Sequence, residues 1–153
     1  MTPARYEPKE LAGLLARLAV AGVLVYSAVL KALAPAEEFA YAIEGYKVFG
    51  PGLSLLAART VPWIELWAGA LLAAGVWTRY TGLFTAGLFV FFELMLGQAW
   101  LRGLPLTSCG CFGASSSNSI GREFAQNLVF LALLWPGLRW GLSLTADAAV
   151  GDE

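Results

Sequence analysis

No histidine occurs anywhere in the 153 residues. That absence removes His-ligated haem, His-based zinc sites, the Ser-His-Asp triad and imidazole acid–base chemistry together. Charge is also scarce. Only 14% of residues are Asp, Glu, Lys or Arg, and 10 Lys+Arg against 11 Asp+Glu leave a formal net charge of −1. A soluble domain is typically about 25% charged, and a nucleic-acid binder presents a basic field. Neither fits, so no nucleic-acid partner is expected. Cysteine is limited to two residues, too few for a metal site of about four ligands unless subunits share one.

What fills the chain instead is apolar: 58% hydrophobic residues and a mean hydropathy of +0.65. One domain of this length does not need so much apolar surface for a core facing water. The excess meets lipid.

A bilayer core of about 30 Å takes roughly 20 mostly apolar residues per helix. Four stretches qualify, at about 11–33, 57–76, 80–101 and 123–144. They predict an all-α integral membrane protein, a single four-transmembrane-helix bundle over 1–153. The segment with Glu37, Glu38, Glu44, Lys47 and Gly50-Pro51-Gly52 reads as a loop. Ala32-Leu33-Ala34 resembles a signal-peptide cleavage site, but Lys31 precedes it and Arg17 splits the apolar run, so an uncleaved span is expected. Arg17 reads as a snorkelling residue, and the six tryptophans as interface anchors.

Orientation is not encoded in charge. With both termini inside, Arg5, Lys9, Arg17, Arg79 and Arg139 oppose Lys31, Lys47, Arg59, Arg102 and Arg122. Topology does place the first loop and the cysteine loop on one side.

Cys109-Gly110-Cys111-Phe112-Gly113 is the most informative stretch. Two cysteines separated by one residue close only a tight ring, and an accessible, strained bridge suits exchange with other thiols. Passive thiols are the plainer reading, yet a staple across one residue removes almost no chain entropy. If the loop folds back on the fourth helix, that helix N-terminus and Arg102 and Arg122 favour a thiolate, with Cys111 the nearer.

Ionisable groups inside spans are costly and point to function. Glu65 and Glu93 each lie about eight residues from the loop-side end of their spans, roughly 12 Å deep at 1.5 Å per residue. Lys31, Gln98 and Asn127 fall in the same half of the bilayer. Glu65, Glu93, Lys31 and Asn127 are therefore the candidate proton or ligand pocket. Hydrogen-bonded glue between helices is the plainer alternative.

These features resemble the MauE/DoxX group of small redox-associated membrane proteins, MauE more than its thiol-free members. The matching residues are Lys31 with Pro35 and Phe39, Pro62 with Glu65, and Cys109 through Gly113. Gln126-Asn127 stands where the group often carries Arg-Asp. The resemblance implies thiol–disulfide oxidoreductase chemistry by Cys109 and Cys111 with an extracytoplasmic thioredoxin-like or other thiol protein. It also implies a bacterial cytoplasmic membrane with the cysteine loop outside, where disulfides persist. A membrane quinone is the candidate electron acceptor. The alternatives are a non-catalytic subunit that docks a redox partner, and a protein binding a small molecule or lipid in the Glu65/Glu93 pocket.

Overall fold

The computed structural model describes residues 7–104, 120–142 and 145–147, and the structural statements below concern these. They form five helices: α1 Pro8–Leu33, α2 Ala36–Gly45, α3 Pro51–Ala74, α4 Thr78–Leu101 and α5 Ile120–Trp140. Three of them, α1, α3 and α4, are long and apolar enough to cross a membrane. At 21 residues α5 has sufficient length, but Arg122, Glu123, Gln126, Asn127 and Arg139 dilute its hydropathy.

The helix ends follow local chemistry, and this shifts the expected spans. α1 starts at Pro8 because Glu7 and Glu10 form a reciprocal capping box and Pro8 stands where no backbone donor is required. α3 begins at Pro51, well before Ala57, since Gly50-Pro51-Gly52 is a helix start and not a free turn. It stops at Ala74 because Gly75 turns left-handed with φ 70°. α4 then begins at Thr78 rather than Tyr80, and α5 covers Ile120–Trp140 rather than 123–144.

The expected loop after α1 holds α2. Pro35 precedes it, Glu37 and Glu38 occupy its first turn, and both favour a helix N-terminus. Phe39, Ala40 and Ile43 pack onto Leu55, Ala58 and Val61 of α3. The charges hid an amphipathic helix.

Successive long helices run antiparallel around a core of Val20, Ala21, Leu24, Ala68, Leu72, Phe89 and Leu134. Small residues set the closest approaches. A Cβ on Gly13 would lie 2.8 Å from the Trp140 carbonyl carbon, and one on Gly137 would lie 3.1 Å from the Arg17 nitrogen. On the other side of α5, Phe130 meets Phe89 at 6.0 Å between centroids and Phe124 meets Trp100 at 5.9 Å.

Burial is inverted relative to a protein in water. Arg17, Lys31, Glu65, Glu93, Glu123 and Asn127 are buried, whereas Leu101 is 92% exposed and all six tryptophans face outward. An outer surface of this kind, over helices of bilayer length, matches lipid.

The end of the bundle opposite α2 is closed by residues 145–147. The Asp147 carboxylate accepts hydrogen bonds from the backbone nitrogens of Trp77 at 2.8 Å and Thr78 at 2.7 Å. The Asp147 nitrogen donates to the Gly75 carbonyl at 3.1 Å. Arg17 is 1% exposed and donates to the Gly141 carbonyl at 3.3 Å. This corrects the snorkelling expectation: Gly137 lets α5 close over the side chain, and the guanidinium finds its acceptor inside the bundle.

Candidate functional site

The site grows from the i, i+4 geometry of α1, which puts Ser27 and Lys31 on one face. That face meets Glu65 of α3. Lys31 Nζ donates to Glu65 Oε1 at 2.6 Å and Oε2 at 2.8 Å, and Ser27 Oγ donates to Oε2 at 3.2 Å. The ammonium also lies 5.1 Å from the Phe39 ring centroid and 5.4 Å from that of Phe92. Both carboxylate oxygens and the ammonium are thereby satisfied, as a buried ion pair in apolar surroundings requires.

Pro62, one turn before Glu65, has no amide hydrogen to give the Ala58 carbonyl, a local loosening that α3 tolerates within the packed bundle.

α5 reaches the same level. Its antiparallel contacts with α1, Gly141 on Gly13 and Gly137 on Arg17, extend by helical turns to bring Asn127 to the level of Ser27, with Glu123 one turn farther along the same face of α5. Asn127 accordingly lines a cavity of about 20 Å³ together with Ser27, Lys31, Glu65, Phe89 and Phe92. Between α4 and α5, the contacts of Phe89 with Phe130 and of Gly97 with Phe124 bracket Glu93 and Asn127 at one depth.

One polar layer thus crosses four helices: Ser27 and Lys31, Glu65, Glu93, then Glu123 and Asn127. The structure pairs only part of it. Among the described residues, neither carboxylate oxygen of Glu93 or Glu123 has a hydrogen-bond partner, and Asn127 Nδ2 has none. Glu93 is buried but is not among the residues lining the cavity.

The expected equal depth of Glu65 and Glu93 rested on a span starting at Ala57. Because α3 starts at Pro51, Glu65 stands far along it, and its level comes from Lys31 near the end of α1. Sequence reading singled out neither Ser27 nor Glu123. The signal was present, since Ser27–Lys31 and Glu123–Asn127 share the four-residue spacing of one helical face.

Above this layer, Tyr46, Leu96 and Ala99 form a cluster with Leu104, Ile120 and Phe124. Gln98 Nε2 donates to the Tyr46 carbonyl at 3.1 Å, and Arg102 donates to the same oxygen at 3.5 Å. Cys109 and Cys111 lie outside the described residues.

Residues 9–142 match the family model of methylamine utilisation protein MauE. The chain belongs to the MauE family. The membrane character of this MauE protein rests on that match together with its three long apolar helices. Neither the curated proteins nor the solved structures gave a match.

Proposed function

We propose that this MauE-family protein is a membrane thiol–disulfide oxidoreductase whose redox pair is Cys109 and Cys111. A partner thiolate attacks the Cys109–Cys111 disulfide to form a mixed disulfide, and the partner's second thiolate resolves it, releasing both cysteines as thiols. Oxidation of a partner dithiol passes two electrons to the pair, which becomes a dithiol. Return of the pair to the disulfide releases two electrons and two protons, which a membrane quinone would accept. The partner is a thioredoxin-like or other thiol protein on the extracytoplasmic face, and the family's description as a methylamine utilisation protein supports a role for the exchange there.

The observation that carries this reading is where Leu104 and Ile120 sit. These two residues bracket the cysteine segment in sequence, and they pack in one cluster with Tyr46 at the α2 end of the bundle. The polar layer with Lys31, Glu65 and Asn127 lies beneath that end, where protons released by thiol oxidation need acceptors. In this reading α5 is the fourth span. Its polar Glu123 and Asn127 face inward while Leu128, Val129 and Trp135 face outward, which offsets its modest hydropathy.

The test is differential alkylation in intact cells with a membrane-impermeant maleimide, before and after mild reductant. Both cysteines should label only after reduction. Labelling confined to permeabilised cells, or no redox dependence, refutes the orientation or the chemistry respectively.

A further inference from the structure

Between α1, α3 and α5, the cavity of about 20 Å³ has an unusual wall. Ser27, Lys31, Glu65 and Asn127 supply polar atoms, and Phe89 and Phe92 supply ring surface. A buried water needs roughly 10–15 Å³ and two to four polar partners. This space meets both conditions.

The second observation is Asn127. Its side chain is buried, lines the cavity, and leaves Nδ2 without a hydrogen-bond partner. An unmade hydrogen bond from a buried amide costs about 1–3 kcal/mol. A water in the cavity removes that cost. It also fits the electron-pair inventory of the ion pair, because a carboxylate has about four acceptor directions. Glu65 uses three of them, two for Lys31 and one for Ser27.

The geometry points to a binding site for one water molecule that accepts a hydrogen bond from Asn127 Nδ2, donates one to the Glu65 carboxylate, and exchanges protons with it. The water joins Asn127 of α5 to the α1–α3 ion pair. In the exchange, the Glu123 carboxyl gives a proton to the water as the water gives one to the Glu65 carboxylate, leaving Glu123 ionised. No electrons move. Glu123 occupies the same face of α5 one turn nearer the helix start and is the carboxyl placed to take part. The proton role rests on the proposed thiol chemistry; the water site does not.

The experiment is infrared difference spectroscopy on the full chain in lipid nanodiscs, reduced minus oxidised, in ordinary water and in H₂¹⁸O. One sharp O–H band that shifts with ¹⁸O is expected, lost in Asn127→Leu and moved in Glu65→Gln. Should Asn127→Leu fail to assemble, Ser27→Ala keeps the cavity and should move the band. Absence of the band in absolute spectra, or a band unmoved by every variant, overturns the site. A band present in absolute spectra but unchanged between the two redox states overturns the proton role. Alkylation of the same samples reports thiol exchange separately, so cysteines that do not exchange beside an intact band would refute the proposed function and leave the water site standing.

Discussion

Lys31 and Glu65 meet at 2.6 Å with side chains 1% and 2% exposed, and among the described residues each is the other's only full countercharge within bonding distance. Removing one partner from such a pair strands a charge, at a cost of about 3–5 kcal/mol. Glu65→Gln and Lys31→Met should each lower thermal stability in detergent by that order. The double variant Lys31→Met/Glu65→Leu should recover most of the loss. Equal loss in singles and double would show that packing, not charge, governs these positions.

For the cysteines the opposite stability pattern is expected. Cys109→Ser and Cys111→Ser close or open a ring of almost no length, so their melting temperatures should match the parent. Thiol exchange should vanish in both. A large loss of thermal stability with exchange retained would identify a structural staple.

Glu123 is 1% exposed with both carboxylate oxygens unpartnered. Replacing a buried polar group that lacks partners by an apolar residue of similar volume is neutral or stabilising. Glu123→Met should therefore melt at or above the parent temperature while slowing dithiol oxidation, a trade expected where stability yields to function. A thermal loss would reveal a structural duty for the carboxyl.

Asp147 gives a pH prediction. Hydrogen bonds from the Thr78 and Trp77 backbone nitrogens, with Arg17 nearby, hold its carboxyl below the ordinary range. Its folded-state value lies below its unfolded one, so the stabilisation is complete above the unfolded value of about 3.9 and is lost as pH falls through the folded value. Melting temperatures recorded from neutral pH downward should drop in acid for the parent and drop less for Asp147→Asn. Identical acid slopes would remove Asp147 from the account.

Much of this was legible in the residues. Apolar runs marked α1, α3 and α4, because length and hydropathy are local properties. Lys31, Glu65 and Asn127 stood out because ionisable or amide groups are rare in such runs. α2 was hidden for a physical reason: Glu37 and Glu38 are exposed charges, while Phe39, Ala40 and Ile43 needed α3 as a partner before they counted as a helix face. Glu123 was hidden because a charge in the first turn of a helix is ordinarily exposed, and only the packing of α5 in the bundle buries it. The capping role of Asp147 joins residues 69 positions apart, a distance no local pattern spans.

That last link orders events during synthesis. The amides of Trp77 and Thr78 emerge from the ribosome long before the carboxylate that will hold them. Until residue 147 is translated, the turn between α3 and α4 can satisfy these donors only with interfacial water. The first three long helices can therefore insert, but their far end acquires its final hydrogen bonds only when translation reaches Asp147. A chain truncated between Trp140 and Asp147 would keep the whole of α5 and leave that turn unlatched.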